Sequence, residues 1–431
     1  MSGTHAETVP YVAQTQYPTQ PPPGSSTGVM GWLRANLFSS WFNSLLTILS
    51  IAFLAWLLPG IIDWAILKAV WHASSLSECR DIIRETHGEG VSGACWAVIR
   101  ERYNQIIYGF YPDELRWRPN VAFLLMVVAV MPVLFRSMRP LIWIMAGVVA
   151  IALFTWVDRG NIAGFINPTV GVAVAVAILA FLFGGPAYRR KWLAFSLVFP
   201  FLAFFLLWGG LFLESVPSSR FGGLLLTMVI GVTGIAGSLP LGILLALGRQ
   251  SRLPVLQVIC VTFIEFIRGV PLITLLFVAS TLLNYFMPPG TDFDIIPRVL
   301  IMATLFASAY MAEVIRGGLA ALPNGQYEAA DTLGLSYWQG MRLIILPQAL
   351  KISIPGIVNT FIGLFKDTTL VAVIGLLDPL GLTKPIRSDS DWNGIVWELY
   401  GFIALLFFVC CFGMSRYSMF LEKRLRASDR R

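Results

Sequence analysis

Charge is scarce in this chain. Only 13% of its 431 residues are Asp, Glu, Lys or Arg, about half the share of a soluble globular protein. A particle surrounded by water needs more polar surface than that, whereas one surrounded by lipid does not. Histidine is scarcer still, with 3 residues, and no Cys/His group has metal-ligand spacing. A Gly-x-x-x-x-Gly-Lys-Ser/Thr phosphate loop is absent, so the chain does not read as an ATPase. No catalytic triad or metal pair emerges, and no catalytic residue or cofactor is expected in this chain. Lys and Arg are missing from residues 1–30, and 4–27 is mostly Pro, Thr, Gln, Ser and Gly. That composition cannot bury an apolar face, so 1–35 is expected to be a disordered cytoplasmic tail. Without a basic n-region it is not a secretory signal.

What the chain has is apolar length: 56% of residues are hydrophobic, and mean hydropathy is +0.72. A bilayer core about 30 Å thick asks for roughly 20 apolar residues per helical span. Runs of that kind fall at about 41–62, 119–135, 140–157, 170–185 and 193–213, then at 221–247, 269–287, 297–316, 350–376 and 396–416. The fold class is therefore all-α, a polytopic membrane protein of about ten transmembrane helices. Additional N-terminal helices occupy 36–215, with a polar loop at about 63–118 long enough for a small external subdomain. A second region, 216–431, holds nearly all the informative polar residues.

The net charge of +7 invites a nucleic-acid reading, but the basic residues gather in short loops. Arg136, Arg139, Arg189, Arg190, Lys191, Arg249, Arg252, Arg342, Lys351, Lys423, Arg424 and Arg426 fall on one side of a ten-helix alternation. Asp158, Glu214, Asp292, Asp294, Asp389 and Asp391 mark the other. The positive-inside rule then puts both termini in the cytoplasm, with lipid and no nucleic acid as the partner. Cys260, Cys410 and Cys411 lie in apolar runs and read as packing residues. Cys79 and Cys95 lie in the 63–118 loop; if that loop faces an oxidising periplasm, a disulfide is open to them.

The most informative stretch, about 319–347, joins two spans. Pro323 and Asn324-Gly325 are turn signals. A short helix over 326–333 follows, with Gly334 as its stop. Ser336 and Gln339 form a capping-box pattern for a second short helix, which Pro347 should limit. Ala329, Ala330 and Gly334 leave a low surface, and Glu328 and Asp331 add negative charge. An interfacial helix on lipid, a helix-turn-helix and a docking element for another subunit all fit such a knuckle.

Glu328-Ala329-Ala330, Gly334, and Ile344 with Leu346-Pro347 match the EAA loop of ABC importer permeases at full spacing over 20 residues. Around it, Gly222-Gly223-Leu224-Leu225-Leu226-Thr227, the Glu265–Leu272 stretch, the Tyr310–Gly318 stretch and Lys366-Asp367-Thr368-Thr369-Leu370 are similar to the polar-amino-acid permease family. The resemblance covers about 221–420 and five helices, and the extra N-terminal part looks like that of the longer L-amino-acid permeases. It implies a type I importer permease in the bacterial inner membrane, with an ATP-binding subunit in two copies that carries ATP and Mg. It further implies a second permease chain in a heterodimer and a periplasmic amino-acid-binding protein. Glu328, Ala329, Ala330, Asp331, Gly334, Leu335 and Pro347 would then couple to the ATPase.

Two polar groups sit inside spans. Asn359, Lys366, Asp367, Thr368 and Thr369 share one helix end. A charge at a span's centre costs about 2.5–3.5 kcal/mol on insertion scales, so Lys366 and Asp367 need partners or a wet cavity. One reading is a structural Lys–Asp pairing. The other is a substrate pathway in which Asp367 meets an ammonium while Asn359, Thr368 and Thr369 supply hydrogen bonds. Glu265 with Arg268, and Glu313 with Arg316, are spaced to pair on one helix face and read as a gate or structural pairs. Gly231, Gly234, Gly237 and Ser238 make a small-residue packing face. An ion-coupled secondary amino-acid transporter is the alternative, disfavoured because its polar residues should recur in both halves.

Overall fold

A computed structural model gives the fold for residues 28–135, 137–159, 168–210, 212–282, 285, 288 and 294–429, with the side chains of 154–159 and 424–429 outside the description. The expected tail lies outside the described residues up to 27, and its last part, 28–35, belongs to helix α1 (Gly28–Asn36). The chain forms two compact units, 1–69 with 82–94, and 70–81 with 95–431.

In the first unit, α2 (Trp41–Ile62) starts at Ser40, whose side chain caps the Asn43 N–H. It runs into a π turn, Asp63–Leu67, closed by a Lys68–Asp63 ion pair. No residue of α2 is buried, as suits a helix that is apolar on all sides.

The second unit contains the rest except 82–94, so the helix over 76–87 belongs to it only up to Asp81. Helices α3 (Leu76–His87) and α4 (Ala97–Tyr108) belong to the polar loop. Then come α5 (Trp117–Leu134), α6 (Pro140–Arg159), α7 (Pro168–Phe183) and α8 (Arg189–Trp208). Core helices follow: α9 (Gly223–Arg249), α10 (Pro254–Gly269), α11 (Leu272–Phe277) with a π turn to Leu282, and α12 (Ile295–Ala320). Two short helices, α13 (Asn324–Thr332) and α14 (Tyr337–Gly340), lead through a π turn into α15 (Leu346–Asp367). Last are a 3-10 stretch Thr368–Ile374, α16 (Thr383–Arg387) and α17 (Trp397–Asp429). Among the described residues no strand forms, only isolated bridges such as Gly109 to Phe221.

Among the described residues, seven helices are long and apolar enough to cross a membrane, and the pair Pro254–Gly269 with Leu272–Leu282, bent by 101°, makes an eighth if counted as one span. Shorter apolar helices at Pro140–Leu153 and Pro168–Phe183 bring the apolar segments to the ten expected. One boundary differs. The span expected at 269–287 is preceded by α10, which the sequence shows as a separate helix only up to its break. Val270 is extended (ψ 131°) before Pro271, because a residue preceding proline is pushed out of the α region.

Close crossings hold the core together. A Cβ on Gly234 would lie 2.8 Å from Leu364, on Gly237 2.7 Å from Thr304, and on Gly242 2.6 Å from Met311. The small-residue stripe of α9 therefore lets α12 and α15 approach, where each lost methyl becomes van der Waals contact. The division expected near 216 is not a break in packing: Tyr111 and Leu207 share a buried cluster with Phe221, Leu226 and Leu364.

The polar loop is a folded piece. Cys79 and Cys95 are joined by a disulfide, with Cα atoms 6.0 Å apart. Around it Val98, Ile106, Leu382, Ile386, Leu399 and the fully buried Trp392 form one cluster. Arg102 pairs with Asp389 at 2.7 Å, and the Cys95 N–H donates to Glu398 at 3.0 Å. The 70–79 and 95–106 parts of the loop are thus packed onto the loop at 376–399.

Candidate functional site

The knuckle between α12 and α15 is built from local rules. Pro323 opens α13 at the position before the helix, where its missing N–H costs nothing. Gly334 takes a φ of +68°, which an L side chain resists, and this turns the chain through about one residue. Ser336 and Gln339 form the expected capping box at α14, with the Ser336 N–H donating to Gln339 at 3.0 Å.

Two features differ from the sequence reading. Pro347 does not limit the second short helix. A π turn, Met341–Ile345, carries the chain straight into α15, and Pro347 sits in that helix's first turn; the wider i→i+5 register accommodates the proline's missing donor. Ala330 is not part of an outer surface either. It is 4% exposed, and its methyl lies 3.4 Å from where a Gly340 Cβ would be. Its small size serves the crossing of the two short helices.

Glu328, Ala329, Asp331 and Gly334 are exposed, with Leu335 half-buried. Leu333 and Trp338 add apolar surface, 70% and 66% exposed. Below them the knuckle is fastened to both spans. Gln348 bonds Gln326 at 2.9 Å, Ser353 donates to the Val314 carbonyl at 3.2 Å, and Gly318 admits Ser353 and the Ala349 carbonyl too closely for any side chain. Gln326 thus ties α13 to α15, which is itself packed directly on α12.

A charge network lies next to this end. Glu313 meets Arg249 at 2.7 Å, Arg316 at 3.0 Å and Arg268 at 3.7 Å, while Glu265 meets Arg249 at 2.9 Å and Arg268 at 3.9 Å. The Arg268 guanidinium also lies over the Tyr310 ring. The two expected pairs are therefore one cluster across α9, α10 and α12. Arg249 joins them, and sequence reasoning missed it because it read that arginine only as a loop charge. Spacing within one helix cannot reveal a partner on another.

At the far end of α15, Asn359 and Lys366 are exposed seven residues apart on one face, and Asp367 is half-buried. Thr369 donates to the Lys366 carbonyl at 2.9 Å. Thr368 faces the other way. It is 2% exposed, its hydroxyl donates to the Phe365 carbonyl at 2.8 Å, and its methyl would touch a Cβ on Gly231. The α9 packing pulls Thr368 into the core, so it lines no open path in this conformation.

Just beyond, Asp378 is fully buried. Its carboxylate accepts the Gly381 N–H at 2.8 Å and the Leu380 N–H at 3.3 Å. Burial nevertheless pushes its pKa up to about 6. Neither Asp378 nor Trp392 carries a sequence signal for this role.

Among the described residues, no group of His, Cys, Asp or Glu could hold a metal ion. Fold and site together define a multi-pass membrane protein with an exposed helical knuckle between two of its core spans. The family described as binding-protein-dependent transport system inner membrane component matches residues 238–427. The glutamate/glutamine/aspartate/asparagine transport system permease protein BztC of Rhodobacter capsulatus is 52% identical, over 95% of this chain and 97% of its own. The inner membrane amino-acid ABC transporter permease protein YhdY of Escherichia coli is 43% identical over 95% and 96%. The probable glutamine ABC transporter permease protein GlnM of Bacillus subtilis is 35% identical over 47% of this chain and 91% of its own. The chain belongs to the family of ABC transporter permeases that form the inner-membrane components of binding-protein-dependent transport systems.

Proposed function

We propose that this permease carries L-amino acids across the inner membrane, driven by a separate ATP-binding subunit that seats the 328–336 knuckle. The observation that carries the coupling is the exposed apolar and acidic surface of the knuckle, set on a helix pair that is otherwise closely packed. Exposed Leu333 and Trp338 cost free energy in water and gain it in a groove. ATP and Mg belong to that subunit, present in two copies. A second permease chain completes a heterodimer, and a periplasmic amino-acid-binding protein delivers the solute. Both termini lie in the cytoplasm. The named substrates of the long relatives support the amino-acid assignment.

In this reading Asn359, Lys366 and Asp367 line the substrate path, with Thr369 as an acceptor through its remaining lone pairs. Thr368 joins them only in another state of the transport cycle. Glu265, Arg268, Glu313 and Arg316 latch the inner ends of the spans. Asp367→Asn should weaken uptake several-fold while the complex still assembles on size-exclusion chromatography; wild-type uptake kinetics would remove Asp367 from the path.

A further inference from the structure

A cavity of about 580 Å³ opens between α4, the start of α5 and the 209–222 connection. We propose that it is the docking pocket for the solute-binding protein, so that the added N-terminal half supplies most of the recognition surface. The inference rests on reading the chain as a binding-protein-dependent permease.

Eleven of the twelve lining residues precede residue 216, and the twelfth, Arg220, lies just ahead of α9, the first core helix. The pocket is thus lined mainly by the added half. It also lies in the same folded piece as the Cys79–Cys95 disulfide, a bond that persists on the oxidising side of the membrane, where a binding protein approaches.

Its chemistry suits a protein surface. Arg102 is neutralised by Asp389 at 2.7 Å and Arg116 by Asp113 at 2.5 Å. Among the described residues, Arg220, Glu114 and Glu214 line the cavity with no ion-pair partner. Phe110, 46% exposed, lies among these charges. An aromatic anchor inside a charged rim is how protein interfaces divide affinity from specificity. The matching surface presents an acid to Arg220 and basic side chains to the two glutamates.

The walls are fixed in advance. Tyr111 donates to the Leu207 carbonyl at 2.8 Å, and Arg118 donates to the Glu214 carbonyl at 2.6 Å. Gly109 pairs with Phe221 across the floor, too close to Gly222 for a side chain on either. A site that does not need ordering on binding loses less affinity to entropy.

The test uses the full complex in lipid nanodiscs with its ATP-binding subunit, titrated with its purified solute-binding protein. The readout is the binding-protein concentration giving half-maximal stimulation of ATP hydrolysis. Arg220→Glu, and Glu114→Lys with Glu214→Lys, should each raise that concentration ten-fold or more. The milder Arg220→Gln and Glu214→Gln, which keep the backbone and most contacts, should raise it about three-fold. Arg80→Glu, an exposed control on α3, should leave it unchanged. Unmoved midpoints in all cavity variants would overturn the proposal. So would saturable binding of free labelled glutamate that is lost in Arg220→Glu while the midpoint stays put. Uptake by the wild-type complex without any binding protein would instead sink the underlying reading.

Discussion

At one end of the core helices, the loop at 376–399 closes over a disulfide, an Arg102–Asp389 pair and a Trp392 only 1% exposed. At the other end, the knuckle between α12 and α15 leaves Trp338 66% exposed and is shaped by a capping box and one left-handed glycine. The first end is held by long-range contacts between residues some 300 apart in the chain, as in the 303-residue separation from Cys95 to Glu398. The second is shaped by neighbours within one turn of helix and tied down by contacts no more than 39 residues apart in the chain, such as Val314 with Ser353. A platform that must not deform and a lever that must meet another protein call for these different constructions.

The sharpest way to break this contrast is to reverse the lever's charge. Glu328→Lys, or Gly334→Asp, should abolish ATP-driven uptake while membrane insertion and expression stay normal. Retained uptake at wild-type rate would leave the knuckle without its coupling role.

The two tryptophans give the next largest effect. Trp392→Ala empties a filled cluster and should destabilise the protein by about 3–5 kcal/mol. Trp338→Ala should change stability by less than about 0.5 kcal/mol yet weaken subunit docking. Thermal unfolding in detergent and co-purification of the ATP-binding subunit read the two separately. Equal melting shifts would mean the ends are not built differently.

The disulfide-bonded end should also respond to pH through Asp378. Its folded pKa of about 6 lies above the usual unfolded value of about 3.9, so the folded state binds the proton more tightly. Its contribution to stability is therefore full below about pH 4 and is lost as pH rises through about 6. Between about pH 4 and 7 the loss should amount to roughly 2–3 kcal/mol at most, read as a falling melting temperature. Asp378→Asn should flatten that part of the profile; an unchanged slope would assign the effect to other groups.

A smaller effect tests the charge network beside the lever. Glu313 touches three arginines and is 17% exposed, whereas Glu265 touches two and is 53% exposed. Exposed pairs contribute about 0.2–1 kcal/mol, so Glu313→Gln should lower stability by about 1 kcal/mol more than Glu265→Gln. The reverse order would show that the network does not centre on Glu313.

What the sequence made legible follows the same division. The knuckle was readable because its signals are local: Pro323, Gly334 and the Ser336–Gln339 spacing each act within a turn of helix. Pro347 misled, since only the register of the preceding π turn tells a helix start from a stop. The spans were readable from apolar length, and the break before the 269–287 span was readable from Gly269 and Pro271; that the two helices make one bent pair was not. The union of the 63–118 loop with 376–399 was not readable. Asp389 looked like a loop charge and Trp392 like any tryptophan, because pairing across the chain leaves no mark on spacing. The inward direction of Thr368 was unreadable for the same reason: it is set by packing against Gly231 on another helix.

The claim on which the rest depends is that work enters this chain through the knuckle from a motor it does not contain. The direct measurement is amino-acid uptake into proteoliposomes holding the permease complex, with the ATP-binding subunit either included or left out. Uptake should need both that subunit and ATP, and should vanish in Glu328→Lys. Accumulation driven by an ion gradient, with no subunit and no ATP, would contradict the account.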